Sequence, residues 1–523
     1  MNPLLLADVA KINAPSVSYH ALSPILIVLG AAMLGVLAEA VIPRAERYAA
    51  QMVIALAGLA AAMVCIALLH RTAETTVKGA IAIDGTGLFL QGTIVLLAIM
   101  SVLLVGERTV DATSPIVASA AVVVGSPADQ RLARTTRIQT EIFPLLMFAV
   151  SGMLIFPVSN NLLLMFIALE VMSLPLYLMA GLARRRRLLS QEAAMKYFLL
   201  GAFASAFFLY GLALLYGYAN SVDLPAILRA SQGTVIAGVA PKSDVLLYVG
   251  LALLLVGLLF KAGIAPFHSW TPDVYQGAPT AVTAFMASCT KVAAFGAILR
   301  VLYVGFNATA WDWRPIVWAV AIASMAVGAV FGLTQTDLKR ILAYSSIAHA
   351  GFILVGVVAL TKDGISSVLF YLLTYGFTTL AAFGLLTLVR DADGEAAHLS
   401  QWSGLARKSP VVATLMTVLL MSMAGIPLTA GFIAKFYVFR AAYHVAAPLV
   451  VLALVFSAIA AFYYLRIVVL MFFAEPPENG PTVAIPGWSS TVALTFGAVV
   501  AVVLGIVPQP VLDLASKASK LVG

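Results

Sequence analysis

The chain has 523 residues, of which 62% are hydrophobic and 10% are charged, with a mean hydropathy of +1.02 and a net charge of +8. This composition excludes a soluble domain, because the surface of such a domain has to be wetted by polar side chains. It also argues against a nucleic-acid partner, because the basic residues stand in short loops between apolar runs, as topology signals do. Apolar runs of about 20 residues recur along the chain and are each long enough to cross a bilayer, so the predicted fold class is an all-α polytopic membrane protein.

Apolar runs bounded by charge, proline or glycine predict about fourteen transmembrane helices. They group into an N-terminal three-helix region at 1–106, a polar loop insertion at 107–140, a first five-helix unit at 141–305, a second five-helix unit at 312–474, and a last helix with its tail at 475–523. The predicted spans, in chain order, are Ser23–Ile42, Gln51–His70, Gly85–Gly106, Glu141–Val158, Asn161–Leu182, Glu192–Tyr218, Asp244–Pro266, Ala278–Val304, Pro315–Thr334, Leu338–Leu360, Ser366–Arg390, Pro410–Phe439, Pro448–Phe473 and Ser490–Val507.

The distribution of lysine and arginine predicts the orientation of the spans. Loops that follow odd-numbered spans carry about 15 basic residues with their flanks, and loops that follow even-numbered spans carry about 8. Because cytoplasmic loops are enriched in these residues, we expect the odd loops in the cytoplasm and both termini on the outer side.

The seventh and twelfth predicted spans are interrupted in similar ways. In the seventh, Lys261 ends a long apolar run and is followed by Gly263-Ile-Ala-Pro266, where the proline removes a backbone donor. In the twelfth, Gly425-Ile-Pro427 is followed by Lys435. The two spans are five apart and therefore cross the membrane in opposite directions, which predicts two five-helix units related as inverted repeats. Paired interruptions of this kind indicate a transport site.

Ionisable side chains inside the predicted spans are the candidate functional residues. Desolvation brings the proton affinities of buried lysines and carboxyls toward one another, so one acid with several amines can form a proton relay. The alternative is that these charges pair permanently and fix the packing of the bundle. The candidates are Glu170, Lys196, Lys261, Lys291 and Lys435, with His268 and His349 as connecting groups and Pro266 and Pro427 as the helix breaks.

Some charged residues admit simpler interpretations. Lys196 stands four residues after Glu192, so a helix ion pair is as good an interpretation as a relay role. His268 is as consistent with a loop histidine as with a proton-passing role, and His349 is as consistent with a core histidine as with a relay role. Arg300 and Lys339 lie near span ends, and we expect both to snorkel toward water. We expect Asp273 to be a cap or turn residue.

Several stretches of the chain resemble a known family. They read LYLMAG, QEAAMKYFLLGAFASAFFLYG, FKAGIAPFHSWTPDVYQGAPT, LKRILAYSSIAHAGF and MAGIPLTAGFIAKFYVF. Together they are similar to the antiporter-like membrane subunits of bacterial respiratory complex I, the proton-pumping NADH:quinone oxidoreductase, over about Leu145–Phe473. The resemblance matches the family's functional glutamate and lysines to Glu170, Lys196, Lys261, Lys291 and Lys435.

Within that family, two subunit types fit less well. One carries a glutamate where Lys435 stands, and another continues into a long lateral helix beyond the last span. The insertion at 107–140 departs from the usual short connection, and the resemblance gives it no role.

The resemblance implies a non-redox, proton-translocating subunit in the membrane arm of the complex, in the bacterial plasma membrane. It implies that this chain holds no cofactor, and that FMN, iron–sulfur clusters, NADH and quinone belong to partner subunits. Its neighbours would be the lipid bilayer and other membrane-arm subunits, including further antiporter-like ones. Two alternatives remain open, which are an autonomous cation/proton antiporter and a purely structural membrane subunit.

Overall fold

The computed structural model describes residues 17–110, 116–117, 122–134, 139–233, 243–391, 394–478 and 480–522. The described residues form the α-helices α1 Tyr19–Val41, α2 Arg44–Leu68, α3 Gly85–Val105, α4 Pro127–Arg134, α5 Ile142–Ile155, α6 Leu162–Ala180, α7 Arg187–Ala219, α8 Leu224–Ser231, α9 Asp244–Ala262, α10 Trp270–Gly277, α11 Thr280–Phe285, α12 Lys291–Arg300, α13 Ala310–Thr334, α14 Leu338–Val358, α15 Lys362–Leu386, α16 Leu405–Lys408, α17 Pro410–Ala424, α18 Ala430–Phe473, α19 Trp488–Ile506 and α20 Gln509–Ala518.

Shorter elements join these helices. The 3₁₀ turns are Phe156–Val158, Asn307–Thr309 and Leu399–Trp402, and the π-helical segments are Met286–Thr290 and Val301–Gly305. The strands are β1 Glu74–Thr76, β2 Ile81–Ile83, β3 Val389–Asp391, β4 Gly394–Glu395 and β5 Thr482–Val483. β1 and β2 form an antiparallel hairpin, and β3 pairs antiparallel with β4 on one side and β5 on the other.

Helix length and hydropathy confirm an all-α polytopic membrane protein. In the part of the chain that the structure describes, 12 helical segments are long and apolar enough to cross a membrane, and two shorter apolar helices cover Ile142–Val158 and Pro410–Ala424. Several helices begin before the predicted span, as at Arg44 and Arg187, because hydropathy marks only the part of a helix in hydrocarbon. The charged first turns of these helices would extend into the interface between the hydrocarbon and water.

The chain is interrupted at both Gly-Ile motifs. α9 ends at Ala262, and Gly263 follows with a left-handed φ of 68° before α10 begins at Trp270. α17 ends at Ala424, and Gly425 follows with a φ of 83° before α18 begins at Ala430. Glycine takes this conformation without the steric cost that a Cβ atom brings, so each motif ends a helix inside the bundle.

The predicted twelfth and thirteenth spans are joined through α18. This helix runs for 44 residues, with a non-helical residue at Ala446 (φ −149°). Pro448 stands two residues later and lacks the backbone N–H that a regular helix needs. The second half of α18 therefore changes direction near the predicted boundary at Pro448.

The centre of the bundle is formed by helices that have almost no outer surface. The most apolar stretch of Thr280–Gly305 is entirely buried, and those of α14 and α15 are each 94% buried. By contrast, the corresponding stretches of α7 and α18 are only 33% and 28% buried. Lys291 and His349 stand on the central helices, so the structure places both inside the protein.

The insertion at 107–140 packs against the start of α7 in its described part. Val117 donates its N–H to the Leu182 carbonyl at 2.9 Å, and Asp129 forms a 2.6 Å ion pair with Arg187. The insertion therefore covers the loop between α6 and α7. Residues 111–115, 118–121 and 135–138 of the predicted insertion, and residues 1–16 of the predicted N-terminal region, lie outside the described part.

Two basic residues that we expected to snorkel are buried instead. Arg300 donates to Asp84 at 2.7 Å, and both side chains are at most 1% exposed. Arg300 also donates to the Val522 carbonyl at 3.1 Å, so the pair ties α3 and α12 to the C-terminal segment. Lys339 is likewise buried and forms an ion pair with Glu395 at 3.1 Å. A carboxylate partner lets each cation stay in the protein rather than reach for water.

Candidate functional site

Lys261 lies in the last turn of α9, beside the first break. Its amine is buried and donates to the hydroxyls of Ser173 at 2.8 Å and Tyr197 at 3.2 Å. It also lies over the rings of Tyr197 and Tyr177, 5.3 and 5.9 Å from their centroids.

Glu170 stands on α6, one turn before Ser173. The side chain is half-buried, and its Oε1 atom is buried with no hydrogen-bond partner among the described residues. The structure places Glu170 near enough to Lys261 to influence it electrostatically, but the two form no direct ion pair within the described chain. A hydroxyl, rather than the carboxylate, therefore receives the lysine's hydrogen bond.

Lys291 lies at the middle of the buried eighth span, immediately after the π-helical segment Met286–Thr290. Its amine donates to the backbone carbonyl of Ser346 on α14 at 2.5 Å and lies 5.4 Å from the centre of the Tyr375 ring. The extra residue of a π segment shifts the side chains after it around the helix axis, and such segments are frequent at functional sites.

His349 stands on α14 between two tyrosines. Its Nδ1 atom is 2.7 Å from the Tyr371 hydroxyl and its Nε2 atom is 3.2 Å from the Tyr464 hydroxyl. Tyr464 is in turn hydrogen-bonded to Ser345. Both ring nitrogens are engaged. The imidazole also lies 5.1 Å from the Tyr375 ring, which Lys291 faces, and 5.8 Å from the Phe352 ring, which Lys435 faces. His349 is thus a buried, fully bonded group between two amines.

Lys435 lies near the start of α18 and reaches back across the second break. Its amine donates to the carbonyls of Met423 and Ala424, each at 3.0 Å, and to the Ser457 hydroxyl at 2.9 Å. The last carbonyls of α17 have no partner inside their own helix, so a lysine satisfies them and meets the negative end of the helix dipole.

Two features connect these groups. A cavity of about 10 Å³ is lined by His349 and by Met423, whose carbonyl binds Lys435, and its volume is about that of one water molecule. Near Lys291, the buried hydroxyls of Ser346, Tyr375 and Thr379 lie together, with Tyr375 within hydrogen-bonding reach of the other two. A cluster of buried hydroxyls beside a buried amine is polar enough to hold water, so the interior near Lys291 is suited to hydration.

Lys196 lies apart from the buried groups Lys261, Lys291, His349 and Lys435. Its side chain is 40% exposed, and its amine forms 2.6 Å ion pairs with Glu192 and with Asp273. Asp273 also binds Arg340 at 2.7 Å. Burial acts to raise the pKa of Asp273, but Lys196 and Arg340 together hold that pKa below its usual range. Asp273 is therefore the centre of an ion network rather than only a cap or turn residue.

The other predicted residues line the breaks without touching the lysines in any described contact. His268 is half-buried, and its Nδ1 atom is buried with no partner in the residues described. Pro266 and Pro427 are exposed within their respective breaks. The structure thus groups Lys261, Lys291, His349 and Lys435 in the interior, with Glu170 at the rim beside Lys261.

The residues that the sequence interpretation missed are uncharged. Ser173, Tyr197, Ser346, Tyr371, Tyr464 and Ser457 supply the hydrogen bonds of the interior groups. Hydroxyls and tyrosines are common in apolar spans, so only their position one or two turns from a buried charge on a neighbouring helix distinguishes them. That position requires the packing of the helices.

Comparison with known proteins gives one family. Its model, described as NADH:quinone oxidoreductase/Mrp antiporter, TM, matches residues 159–461. NADH-quinone oxidoreductase subunit N of Saccharopolyspora erythraea is 57% identical over 514 residues, which is 97% of this chain and 99% of that protein. The protein of the same name from Mycobacterium tuberculosis is 51% identical over 535 residues, 97% of this chain and 99% of that protein.

Solved structures give the same fold. A chain in the respiratory complex I from Thermus thermophilus with bound aureothin aligns with a TM-score of 0.75 and 35% identity, over 94% of this chain and 99% of that chain. A chain in the Mrp complex from Dietzia sp. DQ12-45-1b aligns with a TM-score of 0.79 and 21% identity, over 96% and 97% of the two chains. The second likeness shows the fold alone.

Proposed function

The chain belongs to the NADH:quinone oxidoreductase/Mrp antiporter family, and from that premise we propose that it acts as subunit N of a bacterial NADH-quinone oxidoreductase and moves protons across the membrane. The chemistry of the interior supports a proton-moving role. Its relatives are subunits of a respiratory complex, and the fold is that of an antiporter-like membrane subunit.

The observation that carries the proposal is the way the three central lysines are bonded. Lys261, Lys291 and Lys435 donate only to hydroxyls and backbone carbonyls, and none of them has an ion-pair partner in the described chain. A buried amine with a permanent carboxylate partner is held in its charged form. An amine whose acceptors are neutral has no such tie, so it can take up and release a proton.

The fixed ion pairs of the same chain provide the contrast. Arg300 with Asp84 and Lys339 with Glu395 each combine a buried cation with a carboxylate, as a structural pair requires. A scaffold built only for packing would treat its central lysines in the same way. Their different bonding favours a relay over the structural alternative.

We propose that protons pass along the row from Lys261 to Lys291, His349 and Lys435. The hydroxyls of Ser346, Tyr375 and Thr379 would hold water beside Lys291, and the small cavity beside His349 would hold it near Lys435. Glu170 would act as the switch. When its carboxylate moves to contact Lys261 the ammonium is favoured, and when it withdraws the amine is free to release its proton.

Glu170 and Lys435, at the two ends of the proposed path, both adjoin the outer surface of the chain. Glu170 is half-buried on α6, and Lys435 lines a cleft of about 400 Å³ between the two halves of α18. The proposal is that the neighbouring membrane-arm subunits meet the chain at these ends and that their charges bias the two terminal groups. Quinone reduction elsewhere in the complex would then reach the row as a change of charge.

We infer that the chain itself is non-redox. In the relatives' complex NADH is oxidised and quinone is reduced, and the sequence offers no binding motif for either step. NADH, FMN, iron–sulfur clusters and quinone would bind in partner subunits. The chain would lie in the bacterial plasma membrane with both of its termini on the outer side.

The test is to purify the complex with Lys261→Ala or Glu170→Ala and to measure two activities. Coupled NADH:quinone turnover should fall several-fold, while NADH oxidation by an artificial acceptor should persist because it does not involve the membrane chain. Full coupled activity in both variants would contradict the proposal. Cation/proton exchange in vesicles that contain this chain without any NADH oxidation would favour the autonomous antiporter instead.

A further inference from the structure

The first helix break contains a short helix, α10, that the proposed proton path does not use. This helix packs against α7 and α14, which carry hydrogen-bond acceptors of Lys261 and Lys291 respectively. We propose that α10 is a positioning element that fixes the acceptors of both lysines. Its Trp270 positions the first lysine, and its Tyr275 positions the second. This inference rests on the proposed function, because it assigns positioning residues to groups of that proton path.

Trp270 is buried, and two contacts connect it to the surroundings of Lys261. Its indole Nε1 atom donates to the carbonyl of Phe260 at 2.9 Å, which fixes the backbone one residue before the lysine. Its ring stacks on the ring of Tyr197, with the centroids 4.5 Å apart and the planes 8° from parallel. Because the Tyr197 hydroxyl accepts from Lys261 at 3.2 Å, the indole holds both the backbone and a hydroxyl that set the position of the amine.

Tyr197 is held from a second direction as well. The ring of Tyr177 on α6 meets it edge-on, with the centroids 4.7 Å apart and the planes at 90°. Stacked and edge-on arrangements are those that aromatic pairs favour. Loss of the Trp270 ring would leave one face of Tyr197 without its partner, so the hydroxyl could swing away from the amine. Trp270 is therefore a positioning residue, which acts on Lys261 through Tyr197 and Phe260.

Tyr275 stands on the same helix and belongs to the surroundings of Lys291. Its side chain is buried, and its hydroxyl is within hydrogen-bonding reach of the Ser346 side chain on α14. The backbone carbonyl of Ser346 is the acceptor of Lys291. The Tyr275 ring meets the rings of Trp270 and Phe383 edge-on, with centroid distances of 6.1 and 5.8 Å. The hydroxyl therefore holds the residue that binds Lys291, and the ring joins that residue to Trp270.

The polar face of α10 is fixed to the same two helices. Asp273 forms ion pairs with Lys196 of α7 at 2.6 Å and with Arg340 of α14 at 2.7 Å. Gln276 accepts from Arg340 at 3.0 Å and donates to Asp337, the residue before α14, at 3.1 Å. A helix of eight residues is not stable by itself, so these attachments determine where its aromatic side chains lie.

These contacts give Lys261 and Lys291 a shared support. A chain of packed side chains can carry a displacement from one site to another. A movement of Tyr197 would shift Trp270 and, through the packed rings, Tyr275. The protonation of one lysine would then change how the other is held.

The first test removes the Tyr275 hydroxyl and keeps the ring. The complex is reconstituted in proteoliposomes, and the rate of proton pumping is divided by the rate of NADH oxidation with an artificial acceptor. Tyr275→Phe should lower this ratio about twofold to tenfold, the range that the loss of one hydrogen bond brings. The matched control is Tyr303→Phe, which removes a hydroxyl bonded to the Val357 carbonyl near the end of α14 and should leave the ratio unchanged.

The second test is a double-mutant cycle, because it shows whether Trp270 acts through Tyr197. Trp270→Leu keeps an apolar side chain but removes the stacked ring and the N–H donor, and it should lower the ratio several-fold. In a Tyr197→Phe background the same change should cost much less, because the hydroxyl that the indole positions is already gone. Losses that are independent in the two backgrounds would contradict the proposal.

Trp313→Leu is the matched control for the indole. Trp313 is also buried, and its Nε1 atom donates to the Phe306 carbonyl at 2.8 Å. This variant should lower the temperature of thermal unfolding as Trp270→Leu does and leave the pumping ratio unchanged. An equal fall of the ratio in both tryptophan variants would overturn the positioning role.

Lys291→Met separates this inference from the proposed function. If Lys291→Met loses pumping while Tyr275→Phe and Trp270→Leu pump as the parent does, α10 has no positioning role and the relay stands. Normal pumping by Lys291→Met would instead overturn the relay and this inference with it. If Trp270→Leu does not fold, the comparison of Tyr275→Phe with its control decides, because that change removes a single oxygen atom.

Discussion

Glu170 and Lys261 are separated by a hydroxyl group. Ser173, one turn after Glu170 on α6, accepts the hydrogen bond from Lys261 at 2.8 Å, and no ion pair joins the acid to the amine in the described structure. The carboxylate is near enough to act on the amine, but it does not hold it. This arrangement leaves room for a switch, because a small movement of Glu170 would exchange a neutral acceptor for a charged one.

Removing the Ser173 hydroxyl tests the role of that acceptor. Ser173→Ala should lower the proton-pumping rate several-fold, because a hydrogen bond to a charged group contributes about 1.5–3 kcal/mol and its loss changes how readily Lys261 holds its proton. The measurement is proton uptake by proteoliposomes that contain the complex. Ser173→Thr keeps a hydroxyl and should retain most of the rate. Equal rates for the alanine variant and the parent would contradict the prediction.

The second break offers a test through a glycine. Gly425 has a left-handed φ of 83°, and a Cβ atom there would lie 3.0 Å from Cδ of Lys435. Gly425→Ala should therefore destabilise the chain by about 1–2 kcal/mol and displace the amine from the carbonyls of Met423 and Ala424, with a loss of pumping. Thermal unfolding in detergent and pumping in proteoliposomes measure the two effects.

The matched control for that change is Gly217→Ala. Gly217 stands in α7 with nothing within 4 Å of an added Cβ atom. Alanine has the higher helix propensity, so this variant should be as stable as the parent or more stable by up to about 1 kcal/mol, with normal pumping. If both alanine variants behaved alike, the geometry at Gly425 would have no special importance.

Lys196 should matter much less than the interior lysines. It lies in an exposed ion network with Glu192 and Asp273, where each ion pair contributes about 0.2–1 kcal/mol. Lys196→Met should reduce the thermal stability slightly and leave the number of protons pumped per NADH within twofold of the parent. A loss as large as that of Lys261→Met would show that Lys196 belongs to the relay.

The sequence was sufficient to predict the membrane class, the apolar helices and the burial of three lysines, Lys261, Lys291 and Lys435. Hydropathy marks apolar runs directly, and a lysine such as Lys291 in the middle of one is unmistakable. The Gly-Ile motifs also located both interruptions, because glycine with a nearby proline is a strong local signal.

The partners of the charges could not be predicted in the same way. Arg300 and Lys196 look alike in the sequence, since each is a cation near the end of an apolar run. In the structure, Arg300 is buried in an ion pair with Asp84, whereas the Lys196 side chain is 40% exposed. The difference depends on helices that are far apart in the chain. For the same reason, the roles of Ser173 and Tyr197 could not be predicted. Their hydroxyls become acceptors for Lys261 only when α6 and α7 pack against α9.

The ion pair between Lys339 and Glu395 should make the stability of the chain depend on pH. Burial acts to raise the pKa of Glu395, but Lys339 and the Thr280 hydroxyl hold that pKa below its usual range. A lowered folded-state pKa means that the carboxylate stabilises the fold above about pH 4.3, and that this contribution is lost as the pH falls through the lowered value.

Glu395→Gln should therefore destabilise the chain most at neutral pH, and the difference from the parent should shrink as the solution is acidified below about pH 4.3. Thermal unfolding of the parent and the variant at a series of pH values measures this. A difference that stays constant down to the acid range would show that the charge of Glu395 does not contribute to the fold.

The central claim is that buried lysines without counterions carry protons, and Lys291 is the clearest case because its only described acceptor is the Ser346 carbonyl. The most direct measurement is the number of protons translocated per NADH oxidised by the reconstituted complex with Lys291→Met. We predict that this number falls while NADH oxidation by an artificial acceptor is unchanged. A ratio of protons to NADH equal to that of the parent would contradict the claim.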